Sequence, residues 1–225
     1  MLAGVDGCRG GWVVALAPTW PGAIRLEIAK NFSAVLELTA KCRVVAVDMP
    51  IGLPTGATRR ACDRAAREAL GARSSSVFFA PPRAALAAEN PLEFQAIHRQ
   101  LFGKGASIPL WGIVPKIREV DALMTPSLQE RVVEAHPELV WRRLAGSDLP
   151  SKHRPEGIAA RLECLRDVGV RSEPNSPIPG VKQDDMLDAI ALLACASARL
   201  DGTGVRYPAA FEERDEKGLL MEMWS

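Results

Sequence analysis

Apolar runs broken by glycine and proline set the rhythm of the first fifty positions. Residues 2–6 (LAGVD) read as a short strand, 7–11 as a glycine-rich turn and 12–17 as a second strand. Residues 23–29 follow as a third strand, after a turn marked by Pro18, Pro21 and Gly22. Phe32, Val35, Leu36 and Leu38 stand at helical spacing within 32–41, with Ser33 as the expected cap. Residues 43–48 (RVVAVD) hold four consecutive apolar positions, the pattern of a strand buried on both faces. Three strands, a helix and a buried strand predict an α/β fold, a mixed sheet backed by helices.

Beyond Asp48 the pattern turns helical. Helices are expected over 58–70, 90–101 (opened by Asn90 and Pro91) and 115–123, with a structured loop at 73–83 and a glycine-rich connection at 102–115. Residues 131–136 (RVVEAH) give a fifth strand, followed by helices over 137–144 and 156–168. A proline-rich loop at 174–180 precedes the last long helix, 183–200, and the alternation over 211–224 predicts a hairpin turning at 215–218. With no internal repeat and no linker, residues 1–225 are expected to form a single domain.

Composition narrows the function classes. At 48% hydrophobic and 24% charged residues the chain is an ordinary globular one. A net charge of +1 gives the whole molecule no field to collect nucleic acid or membrane, so any anion-binding surface is local. The five cysteines form no CxxC pair, and His98, His136 and His153 have no zinc-site spacing with them. Reduced thiols, no signal-peptide pattern and no apolar run near the ~20 residues of a membrane helix predict a cytoplasmic protein without membrane association.

The candidate chemistry is acidic. Asp6 and Asp48 each end a predicted core strand, where aspartate is depleted unless it turns the chain or serves a function. In the last helix, QDDMLDAIALLACASARL, Asp184 and Asp185 suit the first turn, where the helix dipole alone accounts for them. Asp188 stands instead on an apolar stripe with Ala191, Leu192 and Cys195, and Asp185 projects from the same side. A buried carboxylate needs a cation or hydrogen bonds. Asp6, Asp48, Asp185 and Asp188, with Glu134 as a fifth acid, therefore predict a hard-ligand site for Mg²⁺ or Mn²⁺. Two such ions about 3.5–4 Å apart can drive phosphodiester cleavage. On this reading Asp188→Asn relieves repulsion and keeps or raises metal-free stability.

Substrate contacts are expected from the run Arg59, Arg60, Arg64, Arg67 and Arg73, which can track phosphates or form a solvated helix face. Ser74 and Ser75 beside Arg73 can hold an anion or make turns. Lys116 completes the basic set. His136 is a candidate proton shuttle, or a satisfied histidine at a helix start.

Six stretches carry a resemblance: GVDGCRGGW at Gly4, DMPIGLP at Asp48, ARSSSVF at Ala72, KIREVD at Lys116, EAHPE at Glu134 and DDMLDA at Asp184. Together they resemble the family called domain of unknown function 429, described as predicted RNase H-like nucleases. The paired Asp185 and Asp188 are similar to the late-helix acids of the Holliday-junction resolvase branch of that fold. The resemblance implies a five-stranded mixed sheet flanked by helices, with a helical insertion and a C-terminal hairpin. It further implies a metal-dependent nuclease with nucleic acid as partner; a homodimer is a candidate assembly. Two alternatives stay open: a nucleotide- or phosphate-binding protein of the actin-like superfamily, and a degenerate non-catalytic interaction module.

Overall fold

The computed structural model describes residues 1–171 and 178–225; positions 174–177 of the expected proline-rich loop lie outside the described residues. The strands β1 (Leu2–Cys8) and β2 (Gly11–Ala17) pair antiparallel across a two-residue turn at Arg9 and Gly10, and β3 (Arg25–Ala29) extends the ladder. Helix α1 (Phe32–Leu38) is capped by Asn31, whose side chain accepts from Ala34 N, so the cap lies ahead of the expected Ser33. Strand β4 (Val44–Val47) is buried throughout and runs parallel to β1. Then come α2 (Ala61–Leu70), 3-10 turns at Gly71–Ser76 and Arg83–Ala87, α3 (Pro91–Phe102), α4 (Ile108–Leu123) and α5 (Pro126–Gln129). Strand β5 (Val132–Glu134) pairs parallel with β4. Helices α6 (Pro137–Ala145), α7 (Pro155–Asp167) and α8 (Gln183–Asp201) follow, and β6 (Arg206–Tyr207) closes a two-stranded ladder with β7 (Met223–Trp224).

The five strands form one mixed sheet in the order β3-β2-β1-β4-β5. The chain divides into two compact units. One comprises Met1–Met49, Arg131–Arg206 and Trp224–Ser225; the other comprises Pro50–Glu130 and Tyr207–Met223. The helical insertion is thus a unit in its own right, together with the tail.

In the first unit, α8 is buried from Met186 to Ala196 and packs on the sheet face formed by Leu2, Val13, Ala15, Val44, Ala46 and Val133. The opposite face carries α1 through the Trp12–Phe32 ring contact, centroids 5.3 Å apart. The close approach of α8 depends on Gly4. A β-carbon there would lie 2.1 Å from the Ala189 carbonyl oxygen and 2.6 Å from Leu193 N. Both obstacles are backbone, so the helix must move away from the strand. Gly4→Ala is therefore expected to cost about 3 kcal/mol or more in chemical denaturation, the upper end of overpacking penalties. An unchanged midpoint would show that the helix is free to shift.

The second unit is tied by buried charge. Arg83 pairs with Asp121 (2.9 Å), Asp215 and Glu216 (2.9 Å). Asp215 also accepts from Lys217 N and Leu219 N, 2.9 Å each, which makes the turn expected at 215–218. Helix α4 starts at Ile108, well ahead of the expected start at Pro115. Ser107 accepts from Leu110 N, proline sits in the first turn, and Pro115 is carried inside the helix at the loss of its own N–H bond. Among the described residues no helix is long and apolar enough to cross a membrane.

Candidate metal centre

Strand register places the first two acids. Val5 pairs with Val47 in the parallel β1–β4 ladder, and Asp48 N donates to Val5 O (2.9 Å). The next residue of each strand is an aspartate. Asp6 and Asp48 therefore leave the carboxyl ends of adjacent central strands on the same side, where open α/β sheets place their ligands. The two carboxyl groups come within reach of each other, and Asp6 Oδ1 accepts from Gly7 N (2.7 Å). Carboxylates this close repel unless a proton or a cation sits between them. Burial first, then the charges of Asp48 and Asp188, push Asp6 well above the ordinary carboxylate range. Burial likewise raises Asp48, with His136 and Lys152 opposing.

Helix α8 supplies the others. Its seat on Gly4 sets Asp188 against the end of β1, because Gly4 and Asp6 share a strand face. Asp188 is fully buried and both its oxygens are engaged. Trp141 Nε1 on α6 donates to Oδ1 (2.8 Å), and Lys152 Nζ lies 2.5 Å from Oδ2. Asp185, half-buried, accepts from Lys182 N (3.3 Å) as part of the helix cap, and its charge also reaches Asp6. Burial raises its pKa, and Asp184 adds to the shift.

Lys152 is the residue that spacing does not reveal. It precedes α7, 36 positions from Asp188 along the chain. Its ammonium feels Asp188, Asp6 and Asp48, which hold its pKa above the ordinary lysine value despite burial. The apolar stripe around Asp188 announces that a cation must be near; nothing in the sequence selects which one. Nor does it show Trp141 as a donor. These two bonds also reverse the expectation for Asp188→Asn, because Asp188 is a structural partner as well as a source of repulsion.

Glu134 does not join the group. It pairs with Val47, and Ala135 N donates to Val47 O (2.9 Å). Glu134 therefore shares the face of Val5 and Val47, while Asp6 and Asp48 share that of Gly4 and Ala46. The alternation of side chains along each strand puts it on the far side of the sheet from α8. His136 caps α6, its Nδ1 accepting from Glu138 N (3.2 Å), and its charge acts on Asp48.

The donor set tests whether a metal fits. Asp6 is buried and Asp48 half-buried, both hold protons more tightly than an ordinary carboxyl, and a hard divalent ion can take a proton's place between them. Mg²⁺ commonly binds through one or two carboxylates and keeps several waters. The pair fits that demand. Among the described residues no three Asp, Glu, His or Cys side chains are grouped to hold an ion. The four-carboxylate cage read from the sequence is therefore not assembled: Asp188 is taken by Lys152, and Asp185 by its own cap.

The expected substrate residues lie in the second unit, apart from His136. Arg60 is only 1% exposed. It donates to Asp63 Oδ1 from Nε (3.1 Å) and Nη2 (2.5 Å), and to the Ile51 and Gly52 carbonyls from Nη1. It anchors the start of α2 and is not presented to a phosphate. Arg59 stacks over Phe79 and Phe102, 4.2 and 5.1 Å from the ring centroids, and Arg67 over Phe79 at 5.0 Å while donating to Val77 O. Arg64 is exposed and donates to Arg59 O (2.7 Å). Arg73, Ser74 and Ser75 lie in the 3-10 turn Gly71–Ser76, with Ser75 exposed, and Lys116 is half-buried on α4.

No curated protein and no solved structure matches the chain. A family model described as "Protein of unknown function (DUF429)" matches residues 4–213. That span runs from the glycine under α8 through both strand-end aspartates to the late helix, and on its strength the chain belongs to the DUF429 family.

Proposed function

We propose that the protein is a metal-dependent phosphodiesterase acting on nucleic acid, with Mg²⁺ or Mn²⁺ held by Asp6 and Asp48. The observation that carries this reading is the convergence of Asp6, Asp48 and Asp188 on one face at the carboxyl ends of the central strands, with Lys152 as their counter-charge. A divalent ion at such a pair supplies Lewis-acid polarisation of a phosphoryl oxygen and a water of lowered pKa. Asp6 and Asp48 would bind it as carboxylates, releasing any proton between them. Asp188 keeps Lys152 in place, and Trp141 fixes Asp188. His136 at the start of α6 bears on the pair through its charge, which favours the ionised form of Asp48.

The test is cleavage of single-stranded, duplex and branched DNA, RNA and RNA–DNA hybrids by the wild type and by Asp48→Asn. At least one substrate is expected to be cut by the wild type in Mg²⁺ or Mn²⁺, with little turnover in Ca²⁺, whose looser coordination positions water poorly. Asp48→Asn is expected to reduce that cleavage to background. Equal cleavage by both proteins, or none of any substrate, would overturn the proposal.

A further inference from the structure

We propose that Lys152 stands where a second metal ion would otherwise be needed, so that the site takes a single divalent ion, on Asp6 and Asp48. The inference rests on the metal-dependent reading above and goes beyond it by fixing the number of ions and the residue that sets it. A two-ion site needs free carboxylate oxygens for each ion, about 3.5–4 Å apart. Asp188 has none to give: one oxygen accepts from Trp141 Nε1 at 2.8 Å and the other faces Lys152 Nζ at 2.5 Å. The lysine is anchored rather than draped over the surface, with its side chain 28% exposed and its partner wholly buried.

Charge leads to the same count. Counted as formal charges, three carboxylates and one ammonium carry −2, which one divalent ion neutralises. A second ion would leave +2 beside Lys152 but only +1 with that side chain uncharged, and the larger excess is the costlier in a buried site. Asp185 does not alter this, because it is half-buried and bound to the backbone of its own helix cap. Lys152 is thus a positioning residue. It holds Asp188 off the metal and keeps a positive charge beside the pair.

The experiment is calorimetric titration of Mn²⁺ into the wild type, Lys152→Met, Lys152→Arg and Asp6→Asn. The wild type and Lys152→Arg are expected to bind one ion per chain. Lys152→Met is expected to bind two, the second through the released Asp188 oxygen. Lys152→Leu likewise removes both the charge and the bond to Asp188, and it gives the same reading should the methionine variant fail to fold. Two ions in the wild type would overturn the inference. So would a single ion in the uncharged variants, which would make Lys152 structural only. Identical binding by the wild type and Asp6→Asn, or none by either, would instead overturn the metal-dependent reading, and this inference with it.

Discussion

Asp6→Asn is expected to weaken Mn²⁺ or Mg²⁺ binding by more than the about 10–100-fold seen when only a ligand's hydrogen-bond partner is removed, since it deletes a ligand itself. The fold is expected to survive the change, because the carboxamide oxygen of the variant can still accept from Gly7 N and its nitrogen can donate to the neighbouring Asp48. Metal-free stability shifts in a direction set by the raised pKa values of the pair. Burial, reinforced by neighbouring carboxylates, makes the folded state hold these protons more tightly than the unfolded chain does. Between the unfolded carboxyl value near about 4 and the higher folded values, the native state binds more protons. Unfolding free energy then falls as pH rises through that window. A carboxamide cannot ionise, so the variant should show a shallower fall and greater metal-free stability above the window. Denaturant titrations in chelator at several pH values check this. Wild-type stability that climbs over the same range would show that the carboxyl pair is not strained.

Asp188→Asn is expected to lower metal-free stability by about 2–3 kcal/mol. Removing one member of a buried ion pair typically costs about 3–5 kcal/mol, because the other charge is left unpaired. Two features reduce the loss here. The substituted amide oxygen can still accept from Trp141 Nε1, and the Lys152 side chain is 28% exposed, so its freed ammonium regains some water. Relief of repulsion with Asp6 and Asp48 acts the other way but does not outweigh a lost contact of 2.5 Å. Chemical denaturation of the variant in chelator gives the answer. Stability equal to or above the wild type would mean that repulsion dominates and the lysine pair contributes little.

The sheet was legible because its strands are marked twice, by apolar runs and by the turn residues that end them. The run Val44–Val47 has no polar position to expose and so must be central, and Asp6 and Asp48 stand out as carboxylates where such runs stop. Asp188 was legible for a similar reason, an acid on a stripe of Ala191, Leu192 and Cys195. What escaped was everything that depends on register or on long-range contact. Glu134 is one residue out of phase with Asp48, and a one-residue offset sends a strand side chain to the opposite face. Arg60 looks like its neighbours in a basic run, yet Asp63 three positions on turns it inward. Lys152 lies in a polar connection with no periodicity, and only the fold brings it to Asp188. The start of α4 was hidden because Pro115 reads as a boundary, although an interior proline costs a helix one bond and a capped first turn can offset it.

The site is settled by anomalous scattering from crystals grown in Mn²⁺. One strong peak is expected between the carboxylates of Asp6 and Asp48, with Lys152 still on Asp188. No peak between the two carboxylates at saturating Mn²⁺ would show that the pair does not hold a metal.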